Sequence, residues 1–382
     1  MMWYRERSPR RTPTPGAAVL TALSFPLLAA LAACANSDAV PAEATEPLSG
    51  TEAVAAPVQP AEAATPSVRA ARGPALDLPP NELGEIMVLE YHRLGEPEGE
   101  FYRSREHFAQ DLQNLYDAGF RPITMRQMLA GDINLPAGTT PVVFTFDDSS
   151  TGQFYLRGDG SVDPNTMVGM WTAFSQANPE WENGGTWCVL PAADHPSNFF
   201  GELPSREVDR TTREDRIRRK VDYLISNGHE ICNHTLYHAR LDKARDQAQV
   251  QEWIGRGEDS IRVYLPEDYE IVTLALPLGM WPATKSLAWS GTYKGHSYEY
   301  QGILEVSGGP NVSPFDRSFN GHSVNRVIVA PGALPRALTR YEKEPGKRFI
   351  SDGDPRTIAV PDSLSSRVAK DRWPNLQLKT GS

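Results

Sequence analysis

The sequence predicts one large α/β domain built on a parallel, barrel-like sheet. Short apolar runs typical of strands alternate with amphipathic segments typical of helices over most of residues 85–360. The chain after about residue 80 holds enough Trp, Phe, Tyr, Leu and Val for a single core. Polar, chemically active residues follow several of the strand-like runs, and in such folds functional sites gather where parallel strands end.

The elements follow from local patterns along the chain. Residues 86–91 predict a first strand, which ends at His92. A helix is predicted over 105–118, because Ser104 is a typical N-cap, apolar residues recur at helical spacing and Gly119 follows. The remaining predicted elements are an extended link at 122–124, helices at 125–129, 163–177, 213–227 and 244–264, and strands at 142–144, 186–190, 230–232, 271–276, 301–306, 326–329 and 357–360.

Residues 1–33 predict an export signal of the lipoprotein type. Four arginines among the first eleven residues precede a short apolar run that ends in Leu31-Ala32-Ala33-Cys34. Small residues before a cysteine resemble a bacterial lipobox, so Cys34 is predicted to be the lipidated first residue of the mature chain. The run is short for a membrane span. A plain secretory signal or an N-terminal anchor is the alternative, and the membrane that carries the lipid stays open.

The rest of the chain divides by composition. Residues 34–82 are rich in Ala, Pro, Glu, Thr and Ser, and they predict a disordered tether, because such a segment buries too little apolar surface to offset its ordering entropy. The globular domain is predicted at 83–363 and a C-terminal tail at 364–382. The net charge of −10 argues against nucleic acid as a partner.

Two cysteines remain for the folded domain. Cys188 and Cys232 both lie in apolar, strand-like runs. In an exported protein they could form a disulfide, but free cysteines are also common in buried strands. A bond between neighbouring parallel strands is geometrically awkward, so two buried thiols are favoured.

The strongest functional signal combines two acidic residues with two histidines. Thr145-Phe146-Asp147-Asp148 follows an apolar strand, and His234-Thr235-Leu236-Tyr237-His238 follows another. On a helix, histidines at i and i+4 share one face. One carboxylate and two imidazoles make a three-ligand site for a divalent metal with positions open for water, and the other carboxylate can take that water's proton. Each motif alone is unspecific, but together they predict a metal-dependent hydrolase.

These motifs resemble those of polysaccharide deacetylases of the NodB-homology type, carbohydrate esterase family 4. The resemblance implies a distorted (β/α) barrel of about seven strands and hydrolysis of an acetyl group. It also implies Asp147 as the catalytic base and, as metal ligands, Asp148, His234 and His238. An Asp-His-His ligand set favours Zn²⁺, although Co²⁺, Ni²⁺ or Mn²⁺ also suit it.

The first strand supplies a candidate acid. Tyr91-His92-Arg93-Leu94 is similar to the poly-N-acetylglucosamine deacetylase branch of the family, where the corresponding histidine is the general acid, which implies that role for His92. A strand-end histidine bonded to backbone is the alternative, and His195 or His322 are other candidates. His229 is interpreted as structural.

Further site residues are predicted near the strand ends. A backbone N–H near Leu278 would stabilise an oxyanion, and Asn233 would orient a ligand or the backbone, or contact substrate. Sugar rings could stack on aromatic residues interpreted as exposed, although Trp171 is more simply a core residue; these residues are Phe154, Tyr155, Trp171 and Trp181.

The chain also departs from the family pattern. Ser149 stands where the family usually has glycine, and Ala275 matches the position of an arginine that pairs with the base. Without that cation, the pKa of the carboxylate is expected to be less depressed. A C-terminal Leu-x-His, which often holds the acid, is not recognisable.

The predicted function is removal of N-acetyl groups from a cell-surface or extracellular N-acetylglucosamine-type glycan, which releases acetate. A catalytically impaired glycan-binding lipoprotein is the alternative, motivated by Ala275 and by the missing C-terminal histidine. An O-acetyl esterase would use the same site.

Overall fold

The computed structural model describes residues 68–193 and 198–381. The predicted signal, Cys34 and most of the predicted tether therefore lie outside the described residues. The strands, in chain order, are β1 (Met87–Tyr91), β2 (Arg93–Leu94), β3 (Tyr102–Arg103), β4 (Phe120–Ile123), β5 (Thr140–Phe146), β6 (Thr186–Val189), β7 (Glu230–Asn233), β8 (Thr273–Ala275), β9 (Ser290–Tyr293), β10 (His296–Glu299), β11 (Gly302–Gly308), β12 (Val324–Ile328), β13 (Thr357–Pro361) and β14 (Gln377–Gly381).

The α-helices lie between these strands. They are α1 (Arg105–Asp117), α2 (Met125–Ala130), α3 (Met167–Ala177), α4 (Arg210–Ser226), α5 (Gln247–Arg262) and α6 (Ala333–Lys343). In the described part of the chain, no helix is both long enough and apolar enough to cross a membrane.

Seven parallel strands close into a barrel. Its order is β1-β12-β11-β8-β7-β6-β5, and β5 pairs back with β1. β4 lies beside the first half of β5, while β6 pairs with the end of β5 at Thr145 and Phe146. The predicted distorted (β/α) barrel of about seven strands is confirmed.

Both faces of the barrel strands are buried, which explains their nearly continuous apolar sequences. On the outer face, Leu89, Phe144 and Trp187 belong to one core together with residues of the surrounding helices such as Leu112 and Ile217. The rings of Phe146 and Trp187 stack there with their centroids 3.9 Å apart. Alternate residues point inward and form a second core, which includes Val88, Val143, Cys188, Cys232, Ala275, Leu304 and Val324.

The cysteines are bonded, so the preference for two buried thiols is wrong. Cys188 on β6 and Cys232 on β7 form a disulfide. The two residues are direct partners in the parallel register, and their Cα atoms are 4.2 Å apart. Because both side chains point to the inside of the barrel, the register brings the two sulfurs together. The sequence alone could not supply this register.

Caps set the helix starts: α1 and α2 begin at the predicted residues, whereas α4 begins three residues earlier than predicted and α5 three residues later. The Ser104 side chain accepts from the backbone N–H of His107 and caps α1 as predicted. The helix predicted from residue 163 starts later, at Met167, because Thr166 rather than Asp163 is the N-cap and accepts from Gly169. The hairpin β9–β10, helix α6 and strand β14 have no counterpart in the predictions.

The predicted domain limits, residues 83 and 363, stay a prediction. Hydrogen-bonded contacts are present both before residue 83 and after residue 363. The backbone N–H groups of Arg72 and Gly73 donate to Glu180 at 2.6 and 2.9 Å. At the other end, β14 pairs in parallel with β13.

Several aromatic residues interpreted as exposed are in the core. Phe154 and Trp181 are buried, so stacking of sugar rings on them is wrong. Trp171 is buried, which confirms the core position favoured by its helical spacing; only Tyr155 of that set is exposed. His229 is structural, as interpreted from the sequence, because its Nδ1 accepts from the backbone N–H of Gly185 at 2.8 Å. Burial lowers the pKa of His229 to about 4, so this imidazole is neutral.

Candidate active site

The carboxyl ends of four barrel strands bring the predicted site residues together. His92 follows β1, Asp147 and Asp148 follow β5, His234 and His238 follow β7, and Leu278 lies just beyond β8. Because the strands are parallel, all of these positions lie at the same mouth of the barrel. His195 lies outside the described residues. His322 stacks on Trp289 at 4.6 Å and lies beside Gln301, just before β11 begins, so it is at the opposite end.

Asp148, His234 and His238 form a compact cluster of potential ligands. Oδ1 of Asp148 is 3.8 Å from Nε2 of His234 and 3.8 Å from Nε2 of His238. Potential ligand atoms of all three residues lie within 4.8 Å of one another. The His234 Nδ1 group is 2.9 Å from the carbonyl oxygen of Ala275. Since a carbonyl can only accept, Nδ1 carries the proton and Nε2 presents its lone pair to the cluster.

The cluster fits a divalent metal ion. Nε2 of His234 is buried and has no hydrogen-bond partner among the residues that the structure describes, and such an orphaned atom is costly unless something binds it. Two bonds of about 2.0–2.2 Å to one ion place their donor atoms roughly 3.4 Å apart at the tetrahedral angle. The observed separations of 3.8 Å require movements of only a few tenths of an ångström.

The two histidines lie on a turn rather than on a helix. The interpretation that they share one face of a helix is therefore wrong. Thr235 and His238 adopt left-handed backbone conformations, with φ of 65° and 60°. Asp148 (φ 78°) and Leu278 (φ 55°) do the same at neighbouring strand ends. Such conformations cost about 1–3 kcal/mol each in non-glycine residues and are typical of functional sites. Here they turn the backbone sharply so that the side chains face one point.

Asn233 holds this turn in place. Its Nδ2 group donates to the carbonyl oxygen of Ile254 at 3.1 Å and to the Tyr300 hydroxyl at 2.7 Å, and its Oδ1 accepts from the N–H of Thr235 at 2.9 Å. The side chain is fully buried. Of the roles predicted for Asn233, these bonds support orientation of the backbone, and its burial leaves no face for substrate.

Asp147 is paired with an arginine that the sequence analysis did not identify. Nη1 of Arg326 on β12 donates to Oδ1 at 2.9 Å, and Nη2 donates to Oδ2 at 2.8 Å. Burial alone would raise the pKa of Asp147, but the positive charge and hydrogen bonds of Arg326, together with the nearby His234 and His92, outweigh burial and hold that pKa well below its usual range. The expectation that the carboxylate lacks a cation, based on Ala275, is therefore wrong: a different strand supplies it.

His92 belongs to a second group of titratable side chains around Arg326. Its Nε2 is 3.4 Å from Oε1 of Glu90, and the same Glu90 oxygen is 3.3 Å from Nη2 of Arg326. Atoms of Glu90, His92 and Asp147 lie within 4.8 Å of one another. Burial raises the pKa of Glu90 to about 8 despite Arg326, and burial also lowers the pKa of His92.

The sequence analysis did not identify Glu90, although the pattern of the first strand indicates it. It is the one charged residue in the otherwise apolar β1, and it lies two positions before His92. In a strand, residues two apart point to the same side, so Glu90 was predictable as an inward-facing neighbour. Arg93 was also missed, and its Nη2 is 3.3 Å from Oδ2 of Asp148.

Exposed apolar side chains surround the mouth of the barrel. Phe101 is 44% exposed, and its ring lies edge-to-face against His92 with centroids 5.0 Å apart. Tyr102 follows it, Tyr237 lies between the two histidines of the turn, and Leu278 is 47% exposed at the end of β8. Large exposed apolar groups placed together in this way are typical of binding surfaces.

No protein-family model and no curated protein matches the chain. Similar solved structures include the deacetylase PplD of Streptococcus pyogenes in complex with acetate, at 16% identity and a TM-score of 0.46, covering 67% of this chain and 97% of that one. IcaB from Ammonifex degensii is similar at 18% identity and a TM-score of 0.44, and the match covers 67% of this chain and 96% of IcaB. A de-N-acetylase from Aggregatibacter actinomycetemcomitans is similar at 13% identity and a TM-score of 0.43, and the match covers 67% of this chain and 99% of that one.

Replacing Arg326 tests the electrostatics of the site. Arg326→Met leaves the Asp147 carboxylate buried without a cation, so we expect the free energy of unfolding of the metal-free protein at pH 7 to fall by about 3–5 kcal/mol. In the wild type, the lowered pKa of Asp147 contributes stability that is lost as the pH falls. In the variant that pKa is raised, so stability is lost as the pH rises. The deficit should therefore shrink towards pH 4 in urea unfolding with a chelator present.

The matched control is the double variant Arg326→Met with Asp147→Asn, which removes the unpaired charge and should recover part of the lost stability. A deficit that is equal at pH 4 and pH 7, or a double variant less stable than Arg326→Met, would contradict this description of the pair.

Proposed function

We propose that the protein is a metal-dependent hydrolase that removes N-acetyl groups from a polysaccharide and releases acetate. The observation that carries the proposal is the placement, at one mouth of the barrel, of an ion-paired carboxylate beside a cluster of three potential metal ligands. In this proposal Asp148, His234 and His238 hold the ion, with Zn²⁺ first and Co²⁺, Ni²⁺ or Mn²⁺ also compatible with the ligands. When bound, a divalent ion polarises a carbonyl and makes water more acidic.

Asp147 acts as the general base in this proposal. Its pKa is well below the usual range, so the carboxylate is ionised at neutral pH, as a general base must be. Arg326 grips both of its oxygens, which fixes its orientation. Oδ2 of Asp147 is also 3.8 Å from Nε2 of His234, so the base stands directly beside the ligand cluster.

His92 acts as the general acid, assisted by Glu90. Burial lowers the pKa of His92, so the imidazole alone holds a proton poorly at neutral pH. Because the pKa of Glu90 is raised to about 8, that carboxyl keeps a proton at neutral pH, 3.4 Å from Nε2 of His92. The pair thus retains a proton that His92 can deliver to the departing sugar nitrogen.

The mouth of the barrel suits a sugar polymer. A backbone N–H near Leu278 is proposed to stabilise the oxyanion. The exposed rings of Phe101, Tyr102 and Tyr237 offer apolar faces on which sugar rings can stack, and the two tyrosines add hydroxyl groups. An N-acetylated polysaccharide is therefore the proposed substrate, and an O-acetylated glycan would reach the same groups.

A glycan-binding protein without turnover is the other candidate. Its basis in the sequence is Ala275 at the position of an arginine and the absence of a recognisable C-terminal Leu-x-His. Arg326 now supplies the cation and His92 a candidate acid, so the described residues favour the hydrolase.

We also propose that the protein is exported and anchored to the cell envelope through a lipid on Cys34. The support is the basic, apolar and small-residue pattern that ends at this cysteine. Mass spectrometry of the membrane-extracted protein should find a diacylglyceryl group on an N-terminal Cys34, and Cys34→Ser should release the protein from membranes. An unmodified N terminus elsewhere in the chain would contradict the anchor.

Acetate release tests the hydrolase. The purified protein should contain about one divalent metal ion per chain and free acetate from N-acetylglucosamine oligomers. Asp147→Asn should lower the rate about 10²- to 10⁴-fold and keep its metal, because Asp147 is not a proposed ligand. His234→Ala should lose both metal and activity. His322→Gln, at the opposite end of the barrel, is the control and should keep both.

The outcomes separate the candidate functions. A metal-loaded protein that binds oligomers but frees no acetate from any N- or O-acetylated glycan would contradict the hydrolase and favour the binding protein. Release from O-acetylated substrates only would indicate an esterase.

A further inference from the structure

Gln153 lies in the segment where the chain departs from the family pattern, directly after the two aspartates. This segment, residues 149–154, is called here the 149–154 turn. The Gln153 side chain is fully buried. Its Nε2 group donates to the backbone carbonyl of Asp147 at 2.5 Å and also to the backbone carbonyl of His92. One amide group therefore joins the residue proposed as base to the residue proposed as acid.

The position of this bridge explains what it does. The ladder between β1 and β5 ends at the pair Tyr91–Phe146, with one more bond from the N–H of Asp147 to the carbonyl of Tyr91 at 2.9 Å. The ladder ends there, and the next residue of the β5 strand end, Asp148, adopts a left-handed conformation. The Gln153 side chain continues the link between the two strands beyond the end of the ladder, because its two amide hydrogens satisfy one buried and one partly buried carbonyl.

The 149–154 turn is itself firmly held, so Gln153 can act as a rigid support. The N–H of Met167 donates to the carbonyl of Gly152 at 3.1 Å, and the N–H of Val168 donates to the carbonyl of Gln153 at 3.0 Å, which joins the turn to the start of α3. The Ser149 hydroxyl accepts from the N–H of Leu190, just after β6, at 3.1 Å. Ser149, which replaces the usual glycine, is part of this support.

We propose that Gln153 is a positioning residue that fixes the separation of His92 and Asp147 and thereby of the acid and the base. This inference rests on the proposed function. Among neutral side chains, only an amide can donate twice from one nitrogen. A carboxylate would set its oxygens against two carbonyl oxygens, and a thioether would donate nothing. Misplacement of catalytic groups by about 1 Å can cost about 100-fold in rate.

The test compares Gln153→Met with Gln127→Met. Gln127 is a matched control, because its amide is also bonded at both ends, to the Thr124 N–H at 2.9 Å and to Asn183 at 3.1 Å, where it caps α2. For acetate release, Gln153→Met should lower kcat about 10- to 100-fold with KM and metal content unchanged, and it should shift the pH profile of kcat. Gln127→Met should leave kcat, KM, metal content and the pH profile of kcat unchanged.

A second measurement does not depend on activity. The imidazole NMR signals of His92, assigned with His92→Gln, should move in Gln153→Met and stay in place in Gln127→Met. If they stay in place in both, the proposal is overturned whatever the activity. If they move while the wild type frees no acetate, the proposed function fails but Gln153 still positions His92.

Folding is controlled with a milder variant. Should Gln153→Met not fold, Gln153→Asn keeps the amide but is one methylene shorter, and it should lower kcat with KM unchanged. Wild-type kcat in Gln153→Asn, or a loss confined to KM or to metal binding, would overturn the proposal.

Discussion

The ion pair between Arg326 and Asp147 is the interaction on which the site depends. Arg326 is fully buried, and it faces two carboxyl groups, Asp147 at 2.8 Å and Glu90 at 3.3 Å. A single cation cannot stabilise two buried negative charges equally. The closer, bidentate partner stays ionised, while burial keeps a proton on the other. Two chemically similar groups thereby acquire opposite protonation states at neutral pH, which are the states that a base and a proton reservoir require.

The barrel makes this arrangement possible because its outer and inner faces have different roles. The outer face is apolar and packs against the helices, so strand positions are fixed by hydrophobic burial. The inner face is apolar at mid-barrel, where the Cys188–Cys232 disulfide lies, and becomes polar at the carboxyl end. Side chains at that end are then aimed by local devices: left-handed residues such as Asp148 and His238, and buried amides such as Asn233 and Gln153.

The sequence predicted the fold class and the separate motifs, but not the pairings that depend on register. Strand and helix periodicity is local, so the alternating strands and helices, α1 and the Asp and His motifs were accessible, and the resemblance implied the seven-strand barrel. Arg326 lies 179 residues from Asp147 and on a strand that is not its sheet neighbour, so no local pattern links them. The cysteine pair likewise depends on the β6–β7 register. The His turn was misjudged because i, i+4 spacing is also compatible with a tight turn of left-handed residues.

The central claim is that Asp148, His234 and His238 bind one divalent ion beside Asp147. Anomalous diffraction at the metal edge, from crystals of the purified protein, tests it most directly. The account predicts a single strong peak about 2.0–2.2 Å from Nε2 of both histidines and from a carboxylate oxygen of Asp148, with Arg326 still bound to Asp147. A metal-loaded crystal whose peak lies elsewhere, or ligands whose side chains have turned away from the ion, would contradict it.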